Sequence, residues 1–217
     1  DLTMLPLTQL TEDEQMLKEA TADFAQSSIA PLVQKMDEQA KLDQSVIDEC
    51  FEMGLMGVEI PEKYDGAGGT FMMSIVSIEQ LSRVDASVGV FMDVQNTLVN
   101  NAFLNFGSED IKDKYLAQLA TKKVGAYCLS EASSGSDAFA LKAKAKQDGD
   151  HYVLNGAKLW ITNANEADIF IVFATIDTPS PWIVRLSTQI SLTPSSSELF
   201  SSQKVNDKVG CRVEAYQ

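Results

Sequence analysis

The sequence predicts an α+β protein: an all-helical N-terminal domain over residues 1–120, followed by a mostly antiparallel β domain over 121–217. Two observations predict it. Apolar residues recur at helical spacing through the first part, whereas after Gly125 the chain turns to alternating, β-branched segments. Two dipeptides, Asp148-Gly149 and Asn155-Gly156, are among the strongest hairpin-turn signals a sequence can carry.

The first helix is predicted to start at Thr11-Glu12-Asp13-Glu14, where the Thr and Glu side chains can each satisfy an orphan amide in a capping box. Leu17, Ala20, Thr21, Phe24 and Ser28 continue it at helical spacing, and Pro31 is expected to kink or end it. A second helix is predicted over Ser45 to Met53, stopped by Gly54, which can adopt the left-handed backbone favoured after a helix end. Met72, Ile75, Val76, Glu79 and Leu81 carry a third. A fourth begins near Ser108, with Ile111, Tyr115, Leu116 and Leu119 on one face. In the second part, strands are predicted at Tyr152–Leu154, Ala157–Thr162 and Ile169–Thr175, and the Ser/Thr-rich stretch 187–202 is expected to be a loop or disordered.

Composition narrows the functions available. Seventeen Lys and Arg against 31 Asp and Glu give a net charge of -14, which repels polyphosphates at long range and argues against nucleic-acid binding. No apolar run reaches the about 20 residues that span a bilayer, so no membrane role is expected. Cys50, Cys128 and Cys211 are far apart and form no C-x-x-C pair, so neither a disulfide framework nor a metal site is suggested. His151, the single histidine, is expected on a solvated strand beside a turn, which leaves no His-based triad. The glycines of Tyr64–Gly69 follow no predicted strand of a βαβ unit and precede no Gly-Lys-Ser/Thr, so they are read as a loop between helices.

Two stretches carry chemical information. Tyr127–Asp137 (YCLSEASSGSD) reads as a strand running into a loop of hydroxyl residues and glycine, which is either an ordinary turn or a backbone-amide site for anionic or carbonyl oxygens. Trp160-Ile161-Thr162-Asn163 reads as a strand that sets an indole and a hydroxyl on one face. That is either a core tryptophan or an aromatic wall suited to a flat heteroaromatic cofactor.

In order along the chain, GLMGVEIPEKYDGAGG (54–69), VDASVGVF (84–91), QNTL (95–98), YCLSEASSGSDAFALKAKA (127–145) and YVLNGAKLWITNA (152–164) resemble the acyl-CoA dehydrogenase family, its short/branched-chain members most of all. The resemblance implies a helical domain, a β domain and a C-terminal helical domain, the last expected to lie outside this chain. It implies FAD as cofactor, with Tyr127, Leu129 and Ser130 lining the ring, and Gly135 and Ser136 where the pyrophosphate and the acyl-CoA arm approach each other. Ser136 is thereby also a substrate contact. Trp160, Ile161 and Thr162 are implied as the wall against the isoalloxazine. The implied reaction is FAD-dependent oxidation of short or branched-chain acyl-CoA to the 2,3-enoyl-CoA in fatty-acid or branched-chain amino-acid breakdown. Its implied electron acceptor is electron-transfer flavoprotein, its setting the mitochondrial matrix, and its assembly a homo-oligomer. The general base is expected outside these 217 residues, so no catalytic residue is nominated, and Glu131 is not that base. An inactive truncated isoform acting through protein contacts, and an oxidase or reductase on the same fold, remain alternatives.

Overall fold

The computed structural model describes residues 9–149, 151–176, 183–187 and 210–214. Two compact units divide between Lys122 and Lys123.

The first unit is helical. Helix α1 (Glu12–Phe24) starts on the predicted capping box: the Glu14 amide donates to the Thr11 hydroxyl at 3.2 Å and the Thr11 amide to the Glu14 carboxylate at 2.9 Å. The chain then widens into a π-turn over Ala25–Ile29, and Pro31 sits in a 3₁₀ turn that redirects it into α2 (Val33–Gln39). Proline cannot donate the helical bond, so the redirection falls where the ladder is already loosened. Helix α3 (Gln44–Glu52) is capped by Asp43 and ends before Gly54 at φ +72°, as its sequence predicts.

Helix α4 (Phe71–Ser82) forms where expected, but its buried side differs from the apolar residues that signalled it. Ser74, Val76, Ser77, Gln80 and Leu81 are buried, while Ile75 is 40% exposed and Glu79 faces solvent. The inward face meets α1, where the Thr21 and Ser77 hydroxyls approach at 3.5 Å and Thr70 donates to Glu14 at 2.9 Å. Small hydroxyl side chains let two helices approach closely, which an apolar-spacing rule does not detect.

The stretch between Asp85 and Phe106 carries no helix in the sequence reading, yet it is helical throughout: α5 (Ala86–Asp93), a π-segment over Val94–Asn100 and α6 (Asn101–Phe106). Buried amides hold it. Asn96 accepts from the Val58 amide at 3.0 Å and donates to the carbonyls of Leu55 (2.8 Å) and Met92 (3.0 Å), while Asn100 donates to the Met56 carbonyl at 2.8 Å. Helix α7 (Glu109–Thr121) follows Ser108 and buries Tyr115, Leu116, Leu119 and Ala120. No described helix is long and apolar enough to cross a membrane.

The second unit holds two three-stranded sheets, ordered β1-β4-β5 and β2-β3-β6. Their strands are β1 (Gly125–Cys128), β2 (Lys144–Asp148), β3 (His151–Asn155), β4 (Ile169–Ala174), β5 (Ile183–Ser187) and β6 (Gly210–Glu214). The described pairings are antiparallel except β1 with β4, which run parallel. Ala126, Cys128, Phe170, Val172 and Ala174 from one sheet pack with Ala143, Ala145 and Leu154 from the other. Asp148-Gly149 does turn a hairpin, with Asp148 opposite His151 and Gly149 at φ +63°. His151 pairs with Glu214 in the strand, and its side chain lies outside the described residues.

Two sequence expectations fail here. Asn155-Gly156 ends β3 without making a hairpin, and no strand forms over Ala157–Thr162. Gly156 takes φ +155° with its open side against Ala143, where a Cβ would lie 2.7 Å from the Ala143 Cα. Of the stretch 187–202 expected to be a loop or disordered, Ser187 ends β5 and 188–202 lie outside the described residues.

Candidate functional site

Strand β1 alternates in the usual way. Ala126 and Cys128 enter the core, while half-buried Tyr127 lies on the opposite face with its ring centroid 4.8 Å from that of Phe173. Burial pushes the Tyr127 phenol above its ordinary pKa and the Cys128 thiol up to about 12, so neither ionises at neutral pH. Cys50 in the helical unit is likewise buried and pushed to about 12. Among the described residues no group of His, Cys, Asp and Glu could hold a metal ion.

Beyond β1, Leu129 and Ser130 are half-buried and lead into a tight turn, in which the Glu131 amide donates to the Ser134 carbonyl at 2.8 Å and the Ser134 amide returns the bond at 3.1 Å. The Ser134 hydroxyl donates to the Asp137 carbonyl at 2.8 Å, and the Asp137 carboxylate accepts from the Phe139 amide at 3.2 Å. Between these anchors Gly135 and Ser136 are exposed, and a Cβ added at Gly135 would meet nothing within 4 Å. The loop is therefore pinned at its ends and open in the middle.

The turn is fixed by a charged residue that the sequence reading passed over. Lys158 donates to Glu131 Oε1 at 2.8 Å and to the Leu129 carbonyl at 3.0 Å. The Glu131 carboxylate also accepts the amides of Lys142 at 2.7 Å and Ala143 at 3.0 Å. The two side chains are 6% and 5% exposed. Burial alone would raise the Glu131 pKa; the Lys158 hydrogen bond, the two amides and the ammonium charge outweigh it and hold the carboxyl below its usual range. Removing such charges from water costs roughly several kcal/mol per ion, which their mutual attraction and these further hydrogen bonds offset. Glu131 is thereby committed to structure and is no free base.

Lys158 explains why the second motif is not a strand. The sequence Ala157-Lys158-Leu159-Trp160-Ile161-Thr162 alternates like one, but the ammonium must reach Leu129 and Glu131, and the Leu159 amide donates to the Ser130 carbonyl at 2.9 Å. Trp160 then adopts φ +57°, a left-handed conformation unusual for a bulky residue, and presents 79% of its surface to solvent. A core tryptophan is thus ruled out, and so is a shared sheet face for Trp160 and Thr162. Ile161 packs its side chain on the sheet core, Thr162 is half-buried, and Asn163 at φ +67° donates to the Gly125 carbonyl at 3.2 Å. The two stretches singled out in the sequence, far apart along the chain, form one continuous hydrogen-bonded segment of wall.

This wall suits a flat aromatic group carrying phosphates better than it suits a metal or a nucleophile. Its features are an outward indole, a hydroxyl beside it, and an open Ser/Gly loop. Trp160, Thr162, Ser130, Gly135 and Ser136, with Tyr127 and Leu129, could hold an FAD.

A model of the acyl-CoA dehydrogenase N-terminal domain matches residues 11–123, and a model of the acyl-CoA dehydrogenase middle domain matches 126–216. A mitochondrial short/branched chain specific acyl-CoA dehydrogenase of Rattus norvegicus is 42% identical over 214 residues, 99% of this chain and 49% of that protein. Two solved structures share the fold. One, from work on the electron transferring flavoprotein of Acidaminococcus fermentans and flavin-based electron bifurcation, has a TM-score of 0.81 and 33% identity over 96% of this chain and 56% of that one. The other is an acyl-CoA dehydrogenase complexed with FAD from Bacillus anthracis, with a TM-score of 0.79 and 30% identity over 96% of this chain and 36% of its own. The chain spans about half the length of the curated relative it matches.

Proposed function

The chain belongs to the acyl-CoA dehydrogenase family, and from that premise we propose that it supplies the flavin-holding wall of an enzyme oxidising short or branched-chain acyl-CoA to the 2,3-enoyl-CoA. The observation that carries the reading is the 2.9 Å bond from the Leu159 amide to the Ser130 carbonyl, which joins the Ser/Gly loop to the exposed Trp160. Leu129 and Ser130 would offer backbone and hydroxyl hydrogen bonds to the flavin ring, with Tyr127 beside them. Trp160 would pack on the ring, Ile161 would fix the segment through its core contact, and Thr162 would offer its hydroxyl. Gly135 and Ser136 would receive the pyrophosphate and the acyl-CoA arm, where the absence of a side chain at Gly135 leaves room for close approach. When bound, FAD supplies the hydride acceptor, and the protein's part is to hold acyl chain, base and ring in line while excluding water.

The proposed acceptor of the electrons is electron-transfer flavoprotein, the proposed setting the mitochondrial matrix, and the proposed assembly a homo-oligomer. The naming of the rat relative supports the setting, and the subject of the Acidaminococcus work supports the acceptor. The test is an anaerobic visible spectrum of the purified protein before and after 2-methylbutanoyl-CoA. A flavin absorption is the expected result, and it bleaches on addition where the protein also carries the domain expected to supply the base. Colourless protein that takes up no added FAD would overturn the reading, and flavin that reoxidises rapidly in air would move it to an oxidase.

A further inference from the structure

Neither Glu131 nor Lys158 lies in a described strand: Glu131 sits in the turn it bridges with Ser134, and Lys158 in the segment that follows β3. We propose that this pair is a positioning device for the cofactor, fixing the Leu129–Ser130 backbone and holding Trp160 in its left-handed conformation with the indole outward. The inference rests on the reading that the wall takes FAD.

Three observations carry it. First, Lys158 divides its hydrogen bonds between the Leu129 carbonyl and Glu131, so the same ammonium touches the backbone proposed to meet the flavin ring and the turn that begins the Ser/Gly loop. Second, Trp160 gains little burial within its unit from a backbone conformation that bulky residues avoid. Such strain persists only where the surroundings over-determine it. The surroundings do: Lys158 is anchored two residues before, the Leu159 amide is bonded one residue before, and Asn163 is tied to the Gly125 carbonyl three residues after. Third, Glu131 is engaged in structure, because its oxygens accept Lys158 and two backbone amides. A buried, hydrogen-bonded pair that grips both halves of a binding wall orients that wall.

The test compares wild type with E131Q, K158R and the charge-free pair E131Q/K158M. FAD affinity is measured by quenching of flavin fluorescence, the induced visible circular dichroism of bound FAD is recorded, and far-ultraviolet circular dichroism reports folding. A positioning role predicts FAD binding at least about tenfold weaker and an altered induced spectrum in E131Q and E131Q/K158M at wild-type secondary structure, with K158R restoring most of both. E131Q and E131Q/K158M proteins that fold and bind FAD with wild-type affinity and spectrum would overturn the inference while leaving the flavin reading intact. Should E131Q not fold, E131Q/K158M decides between the same two outcomes. Wild-type protein that takes up no FAD overturns both.

Discussion

Trp160 shows how a residue can be recognised correctly in a sequence while its conformation is not. The alternation around it reads as a strand, yet a left-handed φ cannot be extended backbone, and the cause is a lysine two residues away whose partner lies 27 positions earlier. Only the three-dimensional pairing reveals that Lys158 and Glu131 belong together; in the sequence Glu131 stands among serines and Lys158 before an apolar run. The conformation makes a prediction that does not depend on any ligand. At φ +57° a Cβ carries a steric penalty of about 1–2 kcal/mol that glycine escapes, against a glycine entropy cost of about 0.5–1 kcal/mol. Since the indole is mostly in water, Trp160→Gly is expected to be more stable than Trp160→Ala in thermal melts, while both lose flavin. If Ala is the more stable replacement, the strain is not there. The two described buried thiols make a second prediction. With pKa values pushed to about 12, Cys50 and Cys128 should remain unmodified by a thiol reagent at neutral pH until the protein unfolds, as read by peptide mapping.

At the scale of elements, features decided by neighbouring residues are legible in the sequence, and those decided by distant partners are not. The capping box at Thr11, the stop at Gly54 and the hairpin at Gly149 are each decided by a few neighbouring residues and stand where the sequence puts them. The helical run from Ala86 to Phe106 is decided elsewhere: its β-branched residues and asparagines argue against a helix, and it forms because Asn96 and Asn100 satisfy the backbone of the loop around Leu55–Val58. These two kinds of determinant differ in energy. Thr11→Ala removes one exposed cap, at about 1 kcal/mol. Asn96→Ala orphans the Val58 amide and the Leu55 carbonyl in the interior and leaves a void, which should cost about 3 kcal/mol or more. Urea denaturation of the two variants tests the ranking, and an Asn96→Ala loss no larger than that of Thr11→Ala would show that water replaces the amide.

Across the whole molecule, stability should depend on pH through two opposing charge effects that salt can separate. Several carboxyls have folded pKa values below their unfolded ones: Glu14 through the Thr11 amide first and then Thr70, Asp43 through Lys35 and Ser45 down to about 2, and Glu131 through Lys158 and its two amides, which outweigh its burial. A group with a depressed folded pKa stabilises the fold above its unfolded pKa and loses that contribution as pH falls through the folded value. The loss therefore runs from about pH 5 down to about pH 2. Burial of the thiols acts at the other end: a raised folded pKa stabilises below the unfolded value near 9.0 and is lost as pH climbs toward about 12. Against the acid loss stands the net charge of -14 at pH 7, whose self-repulsion weakens toward the sequence pI of about 4.4. At low ionic strength the relief of repulsion should shift the most stable pH toward the acid side. With the Debye length cut to roughly 8 Å at 0.15 M salt, repulsion across the surface fades while the bonded carboxyls are little affected. Melting temperatures should thus rise with sodium chloride at pH 7 and barely respond near the pI, moving the optimum toward neutrality. An equal salt response at both pH values would mean that the acid arm is set by specific ion binding and not by the balance of self-repulsion against the buried and capped carboxylates.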